Sequence, residues 1–249
     1  MGGSATCDGG LGMLKALGYR FFDAAGNELS GIGKDLVHIH RIDSSEVLTD
    51  LKEVIFTAVC DVVNPLYGPL GAAYVFAPQK GARPCDLPLL DAGLENFTRI
   101  AGPITGNFKA SELPGAGAAG GLGFSMFSFL NAKSKKGIDF VLDTLNFNEL
   151  LPSTDLIITG EGKIDRQSLM GKVVSGILKR SQAYDIPVIA IAGKVEDKEE
   201  LIENGVTAVF ETADPRLSEE DNMEEKTAIK NLSKTIKTIS KSNIFRHFL

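Results

Sequence analysis

The stretch at residues 155–172, DLIITGEGKIDRQSLMGK, decides the predicted fold class. Its apolar run at residues 156–158 is bounded by turn-forming residues, which is typical of a strand buried on both faces of a parallel sheet. The next residues, GEGKID at 160–165, predict a strand-to-helix loop, because two glycines permit tight turns and three charges lie within five residues. The apolar spacing at residues 173–178 then predicts a helix.

The loop at residues 160–165 is also the first candidate for a binding site. In open α/β sheets, ligands lie in the crevice beyond the carboxyl ends of the strands, and this loop would occupy that position. An alternative stays open at this point, because a solvated connection with turn glycines shows the same pattern. Residue spacing alone favours neither interpretation.

The rest of the chain predicts alternating strands and helices with short connections, which is typical of a doubly wound parallel sheet. This pattern places one domain boundary near residues 150–154. The C-terminal helix carries an apolar stripe that we expect to lie in the core, formed by Ile229, Leu232, Ile236 and Ile239. Strands are predicted at residues 19–23, 36–42, 54–63, 188–193 and 206–210, and helices at residues 11–17, 86–99, 138–151 and 199–204.

The composition is that of a globular protein, and it excludes several classes of function. The chain has 249 residues and a formal net charge of −6, which argues against nucleic-acid binding because that function requires a basic face. No apolar run approaches the roughly 18 residues of a membrane span, and the first residues do not resemble a signal peptide, so we expect no membrane partner. The three cysteines show no CxxC spacing; they predict neither a disulfide framework nor a zinc site, and they fit a cytoplasmic location.

Two further loops carry polar residues beside apolar segments. The first is GGSATCDGG at residues 2–10, and the second runs from residue 61 to residue 82. The first loop has the composition of a functional loop, although no strand precedes it; in the second loop, surface turn chemistry and ligand binding explain the polar residues equally well. The polar candidates are Ser4, Thr6 and Asp8 in the first loop, and Asp61, Asn64, Gln79 and Lys80 in the second.

Residues 115–120, GAGAAG, match the dinucleotide-binding pattern GxGxxG. That pattern indicates a dinucleotide site only between a strand and a helix, and residues 108–114 predict no convincing strand. Gly115 and Gly117 are better explained by close packing at the start of a helix, or by an anion bound at that helix terminus.

Four segments, in the family's order and spread over nearly the whole chain, resemble the type I glycerate kinase family. They lie at residues 2–10, 61–82, 114–123 and 159–172. The resemblance implies two α/β domains, one inserted into the other. Residues 1–150 would form the inserted α/β domain on the substrate side, and residues 151–249 would form the C-terminal part of the Rossmann-like nucleotide-fold domain, a doubly wound parallel sheet.

Two departures from the family pattern affect this expectation. Cys7 stands where the family's GGSATND pattern has Asn, so an amide is lost. The family's amino-terminal strand, which ends in an Asp-Ser-Phe-Lys type of segment, has no counterpart in this sequence. We therefore expect the doubly wound sheet to be incomplete in this chain.

The resemblance implies an ATP-dependent kinase that phosphorylates glycerate to 2-phosphoglycerate and uses Mg²⁺. Glycerate would be the small-molecule partner, and a homo-oligomer is compatible with the sequence. Two alternatives stay open: a truncated, non-catalytic remnant or binding module of that family, and a kinase for another small hydroxy acid.

Phosphoryl transfer depends on positioning and on charge neutralisation. The sequence has no GxxxxGK[ST] pattern, so other glycine loops must hold the phosphates, and Asp165 would orient the hydroxyl or bind Mg²⁺. The expected catalytic residues are Glu161, Lys163 and Asp165; the expected substrate-binding residues are Ser4, Thr6, Asp8, Asp61, Asn64 and Lys80; the expected phosphate-binding or nucleotide-binding residues are Gly115, Gly117, Gly160, Gly162, Gln167 and Ser168.

Overall fold

The computed structural model describes residues 1–165, 168 and 171–241, and the chain divides into two compact units, Met1–Lys136 and Gly137–Leu249. The boundary predicted near residues 150–154 lies on the C-terminal side of this division. The intervening helices belong to the second unit, since Leu142 is buried in its core and Ile138 packs against that core. The nested arrangement of two domains stays a prediction.

The first unit surrounds an aromatic core. The ring centroid of Phe97 lies 5.9 Å from that of Phe21, 5.2 Å from that of Phe124 and 5.7 Å from that of Phe129, distances at which aromatic pairs attract beyond their area of burial. Its elements are α1 (Leu11–Ala16), β1 (Arg20–Phe22), β2 (Arg41–Asp43), β3 (Thr57–Val59), α2 (Ala72–Phe76), α3 (Leu87–Thr105), α4 (Ala118–Phe129) and β4 (Lys133–Lys135). β1 pairs antiparallel with β2, and β3 pairs parallel with β4.

Two strands predicted in this unit are wrong over most of their length. Residues 54–63 contribute only the three residues of β3 to a two-stranded sheet, and Ile55 and Val63, which lie outside that strand, are 83% and 74% exposed. Residues 36–42 begin inside a 3₁₀ helix, Gly33–His38, instead of a strand. The Asp35 carboxylate closes that turn, since one oxygen accepts hydrogen bonds from the Ser30 hydroxyl at 2.6 Å and from the Gly31 N–H at 2.8 Å.

The second unit is an α/β layer structure, as the sequence predicts. Its strands form a parallel sheet in the order β5-β6-β7, and Val174 and Leu178 of the helix after β5 are buried in the core beside it. The elements are α5 (Gly137–Thr144), α6 (Phe147–Leu150), β5 (Ile157–Ile164), α7 (Val173–Ser181), β6 (Val188–Val195), α8 (Lys198–Glu203), β7 (Ala208–Glu211), α9 (Glu219–Met223) and α10 (Glu225–Lys241).

The loop predicted at residues 160–165 is wrong, because β5 continues through most of it. Lys163 pairs with Lys194 and Ile164 with Val195, so these residues extend the sheet. Gly160 makes this extension feasible, since a Cβ there would lie 2.7 Å from the Ile191 carbonyl oxygen. The strand is also not buried on both faces, because Ile158 is 55% exposed.

The sequence predicts that the apolar stripe of α10 lies in the core, and this prediction is wrong for three of its four residues. Ile239 is buried, whereas Ile229, Leu232 and Ile236 are exposed. Helical periodicity shows that a helix can bury one face, but it does not show that a partner covers the whole face. Within residues 1–165 and 171–241, the structure has no helix that is long and apolar enough to cross a membrane.

Candidate functional site

Lys80 and the loop at residues 2–10 form the most organised polar cluster of the first unit. The Lys80 ammonium donates hydrogen bonds to the Ser4 hydroxyl and to the Thr6 carbonyl, both at 2.8 Å. Lys80 ends the 3₁₀ turn Pro78–Lys80 that follows α2, and this turn places it beside a loop 74 residues away in sequence. The structure therefore brings together three residues that the sequence analysis expected to contact substrate.

The Lys80 ammonium is partly withdrawn from water. Burial lowers the pKa of Lys80 below its ordinary value, while the neighbouring Cys7 and Asp8 partly oppose that shift. Burial likewise raises the pKa of the Cys7 thiol, against the opposing charge of Lys80. An ammonium that has lost part of its hydration gains more from a bound anion than one in open solvent.

A cavity of about 380 Å³ opens beside Lys80. Its polar wall comes from Ser4, Gln79 and Lys80, and Ala119 completes it from α4. Ala119 has a φ of 54° and is followed by Gly120 and Gly121 at 73° and 92°. Three consecutive left-handed residues interrupt the helix, and such strain at a non-glycine residue often accompanies binding sites.

Gln79 and Ala119 line the cavity but are not among the site residues predicted from the sequence. Gln79 adjoins Lys80, and the sequence marks it only as a polar loop residue. The only signal for Ala119 was the run of small residues at 115–123, which shows close packing without showing which residue faces the cavity.

Asp8 shapes the loop at residues 2–10. Its carboxylate accepts hydrogen bonds from the Gly10 N–H at 3.0 Å and from the Gly12 N–H at 3.2 Å. These amides lie where α1 begins, and the first N–H groups of a helix lack partners within the helix. The contacts support a role in fixing the loop, and a substrate contact of Asp8 stays a prediction.

Asp61 and Asn64 lie outside the lining of this cavity, although Val62 between them contributes to it. Asp61 is exposed. The Asn64 side-chain amide donates to the Leu70 carbonyl at 2.8 Å, and the Asn64 backbone carbonyl accepts from the Gly117 N–H at 3.0 Å. Asn64 therefore holds its loop closed, and substrate binding by Asp61 or Asn64 stays a prediction.

Close packing accounts for the glycines of the GxGxxG match. A Cβ on Gly117 would overlap the Pro65 carbonyl, and one on Gly120 would overlap the Thr6 carbonyl. The Gly117 N–H is already bonded to Asn64. Phosphate binding by Gly115 and Gly117 stays a prediction.

In the second unit, the carboxyl end of β5 gathers charged side chains. The Lys163 ammonium lies 2.9 Å from the Glu196 carboxylate and 3.9 Å from that of Asp165, and the Lys194 ammonium lies 3.5 Å from Glu196. The hydrogen bond with Glu196 raises the pKa of Lys163, and Lys163 lowers that of Glu196. Lys194 and Glu196 are additions to the predicted site.

Glycine residues let β5 and β6 approach closely along this same edge. Gly160 and Gly162 both lie in β5; Gly160 pairs with Ile191 of β6, and a Cβ on Gly193 of β6 would lie 2.6 Å from the Gly162 carbonyl oxygen. The predicted contacts of Gly160 and Gly162 with phosphate stay predictions, and they now concern strand residues.

Glu161 and Ser168 bind each other and the backbone. The Glu161 carboxylate accepts from the Ser168 hydroxyl at 3.3 Å and from the Val174 N–H, in the first turn of α7, at 3.2 Å. The Ser168 hydroxyl also accepts from the Asp165 N–H at 3.3 Å, and Ser168 is fully buried. These contacts indicate that Glu161 caps α7; its catalytic role and the phosphate contact of Ser168 stay predictions. Gln167 lies outside the described residues.

The described residues include no group of three or more His, Cys, Asp or Glu placed to hold a metal ion. Mg²⁺ commonly takes one or two protein carboxylates and completes its shell with water and phosphate oxygens. Asp165 is half-buried at the carboxyl end of β5, so its carboxylate fits the role of a single protein ligand.

Comparison with known proteins identifies relatives along almost the whole chain. A family model described as "Glycerate kinase family" matches residues 1–243. The chain is 43% identical to "Glycerate kinase" of Bacillus subtilis over 90% of its own length and 59% of that protein. It is 42% identical to "Glycerate 2-kinase" of Escherichia coli over 84% of its length and 55% of that protein. The chain thus spans less than two thirds of these relatives.

A solved structure shows the same fold. A crystal structure of a protein provisionally named glycerate kinase 2, from Salmonella typhimurium LT2, matches with a TM-score of 0.77 and 37% identity. The match covers 97% of this chain and 64% of that one.

Proposed function

The chain belongs to the glycerate kinase family, and on that premise we propose that it transfers a phosphoryl group from ATP to glycerate, giving 2-phosphoglycerate. One observation carries the proposal: four chemistry-bearing loops lie within a family match that extends over residues 1–243. Relatives at 42–43% identity bear the names glycerate kinase and glycerate 2-kinase.

Lys80 binds the glycerate carboxylate in this proposal. The cavity beside it presents a partly desolvated ammonium together with the Ser4 hydroxyl. The Ser4 oxygen accepts from Lys80, so its O–H is available to donate to a carboxylate or hydroxyl of the substrate. Thr6 contributes through its backbone carbonyl, which holds the Lys80 ammonium in place.

Lys163 and Asp165 act on the phosphate side. Both lie at the carboxyl end of a parallel strand, where ligands of open α/β sheets bind. The Lys163 ammonium is held at 2.9 Å from Glu196 and is available to offset phosphate charge. Asp165 would hold Mg²⁺, which neutralises charge on the transferring phosphoryl group when it is bound.

The test is an ADP-release assay with D-glycerate and ATP on the 249-residue chain, comparing Lys80→Met with Lys34→Met. Both lysines belong to the first unit; Lys34 is exposed and lies outside the cavity lining. Losing a charge-assisted contact to the carboxylate should raise the KM for glycerate by about ten- to a hundredfold in Lys80→Met. Lys34→Met should match the parent chain.

Three results would contradict the proposal. Absence of ADP release would favour a non-catalytic binding module of the family. ADP release that does not depend on glycerate would indicate ATP hydrolysis in place of phosphoryl transfer to glycerate. Turnover that is greater with another small hydroxy acid than with glycerate would keep the kinase chemistry and replace the substrate.

A further inference from the structure

A second cavity, of about 460 Å³, opens beyond the carboxyl end of β7. The loop after β7 forms one wall and includes Asp214 and Arg216, and α10 forms the other and includes Lys234, Thr235 and Thr238. Its volume lies in the range of small-molecule sites. Its place at the carboxyl ends of parallel strands is where open α/β sheets bind ligands.

The walls of this cavity are fixed by a network of amide hydrogen bonds. The Asn222 side chain accepts from the Asp214 N–H at 2.8 Å and donates to the Asp214 carbonyl at 3.0 Å. The Asn231 amide of α10 donates to the Asn222 side-chain oxygen at 3.1 Å. The loop and α10 are therefore held together without a ligand, which lowers the ordering cost of binding one.

Arg216 presents a rigid and open guanidinium to this cavity. Its Nε and Nη2 donate to the two oxygens of Asp214 at 2.8 and 2.6 Å, yet its side chain is 81% exposed. A fork-to-fork pair uses the edge of the guanidinium plane and leaves its faces open. Such a plane stacks favourably on an aromatic ring.

Two lysine side chains lie along the same edge of the sheet. Lys194 and Lys163 are register partners on β6 and β5, and like charges in opposed positions repel unless something compensates them. Glu196 bridges the two lysines. Glu211, a cavity residue, accepts from the Val195 N–H at 2.8 Å and so joins the cavity to this edge.

We propose that the cavity beyond β7 binds the nucleoside part of a purine nucleotide, with the base stacked on the Arg216 guanidinium and the phosphates lying toward Lys194 and Lys163. The inference rests on the proposed function in one respect, since it takes the ligand to be the nucleotide that the kinase uses. Lys234 lines the cavity, and its charge acts on the nearby Asp214; in this placement its ammonium donates a hydrogen bond to a ribose hydroxyl or to the first phosphate.

Calorimetric titration of the 249-residue chain with ADP, and separately with inorganic tripolyphosphate, tests this placement. Arg216→Ala and Arg216→Lys should each weaken ADP binding about tenfold, because lysine keeps the charge but lacks the plane. Both variants should leave tripolyphosphate binding within about twofold. Lys194→Gln should weaken the binding of both ADP and tripolyphosphate. Lys237→Gln, three residues from Lys234 on α10 but outside the cavity lining, should change neither.

Three results would overturn the inference, and they separate it from the proposed function. If ADP binds to every Arg216 variant as to the parent chain, the base lies elsewhere and nucleotide use by the chain survives. If Arg216→Ala weakens tripolyphosphate as much as ADP, Arg216 contacts phosphate and not the base. If the parent chain does not bind ADP, nucleotide use by this chain is rejected together with the cavity assignment.

Discussion

Replacing Glu161 with Ala separates a capping role from a catalytic one. The carboxylate accepts a hydrogen bond from the Val174 N–H, and Val174 is fully buried in the second unit. Losing a cap costs about 0.5–2 kcal/mol, and a buried N–H without a partner costs about 1–3 kcal/mol. These estimates describe the same lost contact, so we expect about 2 kcal/mol and do not add them.

Amide hydrogen exchange followed by mass spectrometry measures this effect where it acts. A loss of about 2 kcal/mol in the free energy of local opening corresponds to about thirtyfold faster exchange. We expect that increase in peptides covering residues 173–181, while peptides covering α3 in the first unit keep their protection. Glu161→Gln retains an acceptor oxygen, so it should lose only about 0.3–1 kcal/mol, the usual size of a charge at a helix N-terminus.

The matched control is Glu203→Ala, an exposed glutamate at the end of α8. It should leave the exchange of residues 173–181 unchanged. Parental protection in Glu161→Ala would refute the capping argument. If that variant also lost its ADP release, the predicted catalytic role of Glu161 would replace the capping role.

Two further predictions concern the first unit. Gly120→Ala should lower its free energy of unfolding by about 3 kcal/mol or more, because a Cβ would overlap the Thr6 carbonyl, whereas Gly26→Ala, with a similarly positive φ and no atom within 4 Å, should lose only about 1 kcal/mol; equal losses in urea titrations would disprove the packing argument. The Arg83 guanidinium and the Arg83 backbone N–H hold the pKa of Asp86 at about 2 in the folded chain, against an ordinary value of 3.8. Asp86 therefore stabilises the fold above pH 3.8, and this contribution is lost as the pH falls toward 2. Asp86→Asn should flatten the pH dependence of stability in that window, and an unchanged slope would contradict the assignment.

The second unit could be predicted from the sequence because its residues satisfy local and tertiary requirements together. Val188 and Ala190 are apolar, follow a turn and lie in a central strand, so pattern and environment agree. The first unit lacks that agreement. Ile55 and Val63 have strong strand propensity, but the chain provides only a two-stranded sheet at that point, and tertiary context overrides the propensity.

The end of β5 shows a different reason for a wrong prediction. Glycines and charges at residues 160–165 favour a turn locally, but pairing with β6 supplies hydrogen bonds to the same residues. Sequence patterns do not reveal how far a neighbouring strand extends. Lys163 therefore belongs to a sheet edge and not to a loop, and its neighbour Lys194 becomes a candidate only when the register is known.

The two candidate sites differ in the same way, because only one of them could be predicted from the sequence. Ser4, Thr6 and Lys80 could be selected from the sequence because each lies in a glycine- or proline-bearing loop beside apolar residues, where a polar side chain requires an explanation. Arg216 and Lys234 lie in a charged, C-terminal region where such residues are ordinary, and no motif links them. The hydrogen bonds of Asn222 to Asp214, and of Asn231 to Asn222, show that the loop and α10 are held together as the two walls of one cavity. A cavity of this kind is formed by tertiary contacts between segments that lie apart in the sequence, so no local pattern predicts it, and its proposed chemistry depends on the exposed plane of Arg216.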